Sequence, residues 1–487
     1  MKFLLLRLSS AILKWAGILF FVYLGFLLLA VGFRFSTHLL TGISPQDFDI
    51  QRYRTPNPDP SKNFFSVLEY DFSPANKSFP YSPKGLHNFA PIPGVYGQGS
   101  QPWPWNSDFS AFFDLETTAN DLRSLVKGTL PGVRPDMAEH RKFILNAKTS
   151  KETCERSISV FRPFMKKLYL GLSRQESINP YPWPSTVAPE TPLFGILDLI
   201  RIAKLLSLEA LLNFSELAPD FFLQPTQVNL RIAQGLLDRP IGIIQHIGGL
   251  AVTGITLPTV WKGLDGNFLN ETQLGQLQEQ LSTIRPTQNV PTTIRQEYCF
   301  YYHMATNDSV SFTDPETRFF SRLAKPVLTN LLQGLVVLDL WSFYKSVKEN
   351  TAFLTEKPGF ANPLLPSNRV ISFYNDAKFR EILLQLCRLD VALKLYHLRT
   401  SKLPDSLLQL TPTILNDLPL DPLTGEFFKY KKLGPTKYLV YSCWVDGIDD
   451  GGAPVEPPAV PMENPWPYYF QNAKGDLVWP QHHAGKN

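Results

Sequence analysis

The sequence predicts a mostly α-helical protein of packed helical hairpins, with a single N-terminal transmembrane helix and a small C-terminal α+β module. Three observations carry that expectation: an uncharged apolar run near the N-terminus, helical periodicity through the middle of the chain, and two β-like segments near the end that lead into an acidic glycine loop. A length of 487 residues points to two or three folded units, and a 44% hydrophobic content is enough to fill their cores. Forty-two prolines accompany 13% aromatic residues, a pairing that predicts long ordered loops pinned by rings. Lys and Arg total 47 against 43 for Asp and Glu, and the small surplus is spread along the chain, which argues against nucleic acid as a partner.

Residues 1–14 carry Lys2, Arg7 and Lys14 and precede "AGILFFVYLGFLLLAVGF", an uncharged run from Ala16 to Phe33. At about 1.5 Å per residue this run covers most of a hydrocarbon core roughly 30 Å thick. Residues 15–33 are therefore expected to be a transmembrane anchor, through which the protein takes the membrane as a partner. Positive charge before the run and only Arg34 directly after it put residues 1–14 in the cytoplasm. The bulk is then extracytoplasmic, or periplasmic, on a single-pass protein of the inner (cytoplasmic) membrane. A cleaved signal peptide is the competing reading, with Ala30 and Gly32 as small residues at a cleavage site, but the run is longer than the usual apolar core of about 7 to 15 residues. No later segment is expected to cross again. The nearest, Gly195 to Leu212, carries Asp198, Arg201, Lys204 and Ser207 at intervals of three, a polar stripe on an amphipathic helix.

Residues 34–110 are rich in turn signals broken by aromatics and are expected to drape over the folded part. Residues 111–375 show helical periodicity, in "DLETTANDLRSLVKG", "CERSISVFRPFMKKLYLGL", the Gly195 segment, "QPTQVNLRIAQGLLDRPIGIIQHIGGLAVTGITLPTVWKGL" and "ETRFFSRLAKPVLTNLLQGLVVLDLWSFYKSVKEN". In "LNETQLGQLQEQLSTI", Asn270 is placed to cap a helix with Gln273 at the capping-box position, and Leu274, Leu277, Leu281 and Ile284 form its apolar stripe. Residues 376–487 change character. Asp376 to Lys402 predicts a helix capped by Asp376 and closed by basic residues, and "FFKYKK" and "KYLVYS", separated by "LGPT", predict a β-hairpin.

This order of motifs resembles the globular part of the type II secretion major pseudopilin. The helix ends on Ala392, Tyr396 and Pro404, "LPLDPLTGE" follows, then "YLVYS", then the acidic loop "WVDGIDDGG", and "DLVW", Asp476 to Trp479, matches the ending. The upstream helices resemble uncharacterised membrane-anchored helical proteins of planctomycete and verrucomicrobial bacteria, a likeness that implies no activity. The first resemblance implies a calcium ion in the acidic loop, held by Asp446, Asp449 and Asp450 with Asp476 returning to close the site. Calcium suits such a loop because it takes six to eight hard oxygens in a flexible cage, and glycines let the backbone curl around it. The EF-hand spacing fails, since Ile448 and Pro457 fall where acidic ligands are required. A solvated turn is the alternative, because Asp and Gly are what turns prefer. A pseudopilin also carries a processing site and its own membrane segment at the start of this helix; both are missing here, so assembly into a pseudopilus is not expected.

Signatures of hydrolases, zincins and nucleotide-binding loops are absent from the sequence. His246, in an apolar helical context, is expected to be a satisfied core or interface residue. Cys299 and His303 share a helix face without a third group to orient them, and His482 and His483 are expected to be solvated. Cys154, Cys299, Cys387 and Cys443 are too scattered for a metal or redox pair and are expected to be buried thiols, with up to two disulfides as the alternative. The functional expectation is a non-catalytic scaffold or interaction protein of the cell envelope, with envelope proteins as partners. An extracytoplasmic hydrolase assembled from distant residues and an accessory part of a secretion or pilus-like system are the alternatives.

Overall fold

A computed structural model describes residues 2–54, 59–68, 165–178, 196–214, 219–304, 315–349, 367–455 and 474–479. The expected helix in "DLETTANDLRSLVKG", residues 69–110 of the proline-rich stretch, Cys154, His482 and His483 lie outside the described residues.

The expected anchor is the middle of a longer helix, α1, Lys2–Thr41. It is long and apolar enough to span a membrane, over a stretch from Ile18 to Thr41 that runs past Arg34. The described part of the proline-rich segment follows it as short 3-10 turns, Pro45–Phe48, Ile50–Tyr53 and Phe64–Leu68. Ser44 and Asp47 cap the first turn reciprocally, and Phe48 stacks on Tyr302 with ring centroids 4.2 Å apart. Phe64 and Phe65 are fully buried. In the described part of the segment, rings pin the chain.

The body is built from α2 (Ile196–Phe214), α3 (Pro219–Asp238), α4 (Gly242–Asp265), α5 (Glu271–Thr283), α6 (Val290–Met304) and α7 (Pro315–Glu349). α2, α3 and α4 pack on one another, and α7 lies against both α1 and α6. Two sequence expectations need correction here. α4 and the Ala324–Lys348 part of α7 are also long and apolar enough to cross a membrane, although α4 is largely buried within the protein. Ser207 does not belong to an outward polar stripe: it is buried, and its Oγ accepts a hydrogen bond from Asn229 Nδ2 at 3.0 Å across the α2–α3 contact. The α5 expectation is met in detail. Asn270 and Gln273 form the reciprocal cap, and Leu274, Leu277, Leu281 and Ile284 are all buried.

α8, Ser367–Thr400, begins before Asp376, so Asp376 is an interior residue facing Arg380 at 3.8 Å and not the cap that the sequence suggests. The basic close is present, with His397 and Arg399 in the last turn. α8 packs against α4, α5 and α6, and also against the sheet. That sheet has three antiparallel strands, β1 (Lys429–Lys432), β2 (Tyr438–Ser442) and β3 (Leu477–Trp479), in the order β1-β2-β3. The expected hairpin pairs Lys429 with Tyr441 and Lys432 with Tyr438, and the "DLVW" ending supplies β3, with Val440 opposite Trp479.

Asp390 fastens the sheet to α8. It is 3% exposed and accepts from Tyr438 Oη on β2 and from Trp479 Nε1 on β3, the latter at 3.2 Å. Trp444, just past β2, is buried edge-on against Phe379 of α8. Removing the carboxylate strands two buried donors, so Asp390→Ala is expected to lose about 2–4 kcal/mol of stability in denaturant unfolding of the detergent-solubilised protein. Asp390→Asn, which keeps one acceptor, should lose less.

Lys378, also on α8, is 8% exposed, and burial pulls its ammonium down from 10.5 to about 8, partly offset by the nearby Asp421 carboxylate. Between these two values the unfolded chain holds a proton that the folded chain has released. Stability therefore rises with pH across that window, and below it the full cost, at most about 3 kcal/mol, is present. Lys378→Met is expected to be more stable than the parent at pH 7, with an advantage that shrinks as pH approaches 10.5. An advantage independent of pH would show that Lys378 is not desolvated as described.

Candidate functional site

The acidic loop is set up by the strands on either side of it. β2 delivers Tyr441 and Cys443 to one face by its two-residue period. The chain then turns through Trp444, Gly447, Gly451 and Gly452, all with positive φ. Gly452 has φ of 86°, and a Cβ there would lie 2.8 Å from Leu439 Cδ1, so both conformation and space call for glycine. Asp476, leading into β3, crosses back to this turn. Its backbone N–H donates to Ala453 O at 2.7 Å, its carbonyl accepts from Val455 N at 3.1 Å, and its Oδ2 accepts from Gly452 N at 2.8 Å.

The structure brings together two of the four predicted carboxylates. Ligand atoms of Cys443, Asp449 and Asp476 lie within 4.8 Å of one another. Asp446 and Asp450 are exposed and stand outside that group; the Asp446 carboxylate accepts from Ile448 N at 3.1 Å, a local turn contact. Asp449 Oδ1 accepts from Tyr441 Oη at 2.9 Å and from Gly451 N at 3.0 Å. Asp476 is fully buried, and its Oδ1 has no hydrogen-bond partner among the described residues. Burial, with added repulsion from Asp449 and Asp450, pushes the Asp476 carboxyl up to about 6, against the pull of two backbone N–H donors. Burial, with added repulsion from Asp449 and Asp476, pushes the Cys443 thiol up to about 11. A bound cation would relieve each of these costs at once, since it supplies opposite charge and a partner for the orphaned oxygen. The oxygens suit a hard ion such as calcium, whereas the Cys443 sulfur suits a softer one.

Cys443 was not among the predicted ligands. Its signal in the sequence is the strand period that puts it on the face of Tyr441, but this becomes informative only once β3 is known to return Asp476 beside it.

The other candidates have structural roles. His246 is buried, with Nδ1 2.9 Å from Thr293 Oγ1 and Nε2 2.8 Å from the Pro286 carbonyl, the satisfied core residue that its context predicts. Cys299 and His303 do not face a common substrate site. Cys299 Sγ lies 3.6 Å from Asp47 O and His303 Nε2 lies 2.7 Å from Phe48 O, so both hold the 3-10 turn after α1. Burial pushes the Cys299 thiol up to about 12, which keeps it protonated and non-nucleophilic at neutral pH. Cys299, Cys387 and Cys443 are buried free thiols. A groove of about 360 Å³ runs between α4, α5, α8 and β2. Of its ionisable side chains, Lys394 is engaged with Asn267 Oδ1 at 2.7 Å, and His397 and Tyr438 belong to α8 and β2.

No protein family, curated protein or solved structure matches the chain. The fold and site define a predominantly helical protein with a helix long and apolar enough to span a membrane and a small three-stranded sheet that carries an acidic loop.

Proposed function

We propose that this protein is a membrane-anchored scaffold or interaction protein of the bacterial cell envelope, with its bulk on the extracytoplasmic side of the inner membrane and a structural calcium ion in its C-terminal loop. The observation that carries the reading is the way α1 is built into the body. Its end is held by Arg34 against Asn330 and Gln333 of α7 and by His38 against Tyr302 of α6, so anchor and body form one packed unit. The pseudopilin resemblance of the C-terminal stretch supports a module that has lost its assembly signal and kept its loop. The groove beside α8, where Lys394 is held by Asn267 and Tyr438 by Asp390, fits a surface that binds a partner better than one that converges on a reacting bond.

The calcium part of the reading rests on Asp449, the buried Asp476 and its partnerless oxygen. Such an ion would tie the β2 end to the β3 start. Millimolar calcium is expected to raise the melting temperature of the chelator-treated protein by a few degrees, and Asp449→Ala combined with Asp476→Asn should abolish the rise. No shift at millimolar calcium removes the calcium reading, and a shift with zinc alone would replace it with a thiophilic ion held through Cys443.

Orientation has its own test. A reporter enzyme that folds only outside the cytoplasm, fused after Asn487, should be active in intact cells. Activity only from a cytoplasmic reporter at that position would overturn the extracytoplasmic placement.

A further inference from the structure

The contact between α1 and α7 changes how the membrane face of this protein reads. Arg34, which interrupts the apolar run in the sequence, does not point away from the molecule. Its Nη1 donates to Asn330 Oδ1 at 3.2 Å and to Gln333 Oε1 at 2.8 Å. Beside it, a Cβ on Gly334 would sit 2.6 Å from the Phe33 ring, so glycine is what lets the two helices come this close. With Arg34 turned inward, the apolar surface of α1 continues beyond it: Phe35, Leu39 and Leu40 are 68%, 73% and 80% exposed.

α7 extends that surface. Leu328, Leu331, Leu335, Leu338 and Trp341 recur at intervals of three and four, which places them on one side of the helix. Leu328, Leu331 and Trp341 are exposed, and Leu335 and Leu338 are half-buried. Gln333, Val336, Val337, Leu340 and Phe343 are buried against the rest of the protein. Between Lys325 and Lys345 the charged residue is Asp339, which is buried and accepts a hydrogen bond from Tyr298 Oη. The separation of those two lysines along the helix is about 30 Å at about 1.5 Å per residue, the thickness of a hydrocarbon core. At one end of the stripe Lys345 Nζ lies 5.4 Å from the Trp341 ring centre, the pairing of an aromatic and a snorkelling cation found where apolar lipid meets water.

We propose that the outward stripe of α7 lies in contact with lipid acyl chains beside α1, so that the protein meets the bilayer through two adjoining helices, its anchor and one flank of its body. Continuity with the apolar surface of α1 selects lipid as the occupant, and the proposal rests on α1 being a membrane span. Arg34 Nη1, Asn330 and Gln333 pair within the α1–α7 contact, which directs the Arg34 head group toward α7 and away from the apolar stripe.

The full-length protein is reconstituted into phosphatidylcholine vesicles with an environment-sensitive fluorophore on one introduced cysteine at a time. The three positions are Phe26→Cys on α1, Leu331→Cys on α7 and Leu408→Cys, 61% exposed in the 3-10 turn after α8. The chain without an added cysteine provides the blank. Labels at Phe26 and Leu331 are expected to lose most of their emission to lipids with nitroxide on the acyl chain, and the label at Leu408 to aqueous iodide only. Iodide quenching at Leu331 with lipid quenching at Phe26 overturns the proposal and leaves the anchor intact. Iodide quenching at both overturns the anchor and the proposal together. A label at Leu331 that neither quencher reaches also overturns it, because the stripe is then covered by protein, such as a second copy of the chain.

Discussion

α8 is buried on nearly every side, and the rest of the molecule is arranged around that fact. A helix buried along most of its length must satisfy the polar side chains of that part inside the protein. Asp390 does so by accepting from one residue on each of two strands, Tyr438 and Trp479. Glu381 does so on the body side, where Thr287 N and Oγ1 donate to its Oε2 at 3.3 and 3.2 Å and Gln385 donates to its Oε1 at 2.5 Å. These charged anchors fix how α8 is rotated between the helical body and the sheet. Leu383, Leu386, Leu389 and Leu393, all essentially unexposed, then supply the apolar burial.

The same logic of polar groups paired across a helix contact operates at the other end of the protein. Arg34 with Asn330 and Gln333, and His38 with Tyr302, join α1 to α7 and α6. The turn that follows α1 is fastened by backbone carbonyls, Asp47 O to Cys299 and Phe48 O to His303. Two residues that could have been a catalytic pair are thereby committed to the junction between anchor and body.

At the acidic loop the cost runs the other way. Asp476 is buried with one oxygen unpartnered, and its neighbours Asp449 and Asp450 raise the cost of charging it. Its backbone is nonetheless held on both sides, through Ala453 and Val455. The loop therefore keeps an unfavourable carboxylate in a rigid frame, an arrangement that a cation would stabilise and that a solvated turn does not require.

Local pattern alone determined the elements whose causes are local. The apolar run, the Asn270–Gln273 cap with its buried leucines, and the hairpin at "FFKYKK" and "KYLVYS" each follow from capping, periodicity or strand alternation, which neighbouring residues decide. The helix start at Ser367 was hidden because Asp376 is a good cap by type, and only packing shows that the preceding turn is also buried. The inward Ser207 and the reach of the apolar surface past Arg34 were hidden for a related reason, whereas the apolarity of α7 over a membrane's length is a matter of composition. A residue's polarity can be read from its type, but the partner it bonds to lies up to about three hundred positions away, as Gln333 does from Arg34. In the loop, the sequence by itself determined which residues carry carboxylates; the tertiary structure decided that Asp449 and Asp476 converge with Cys443 while Asp446 and Asp450 stay outside. That choice is made by the β2–β3 register, a long-range pairing that no local signal encodes.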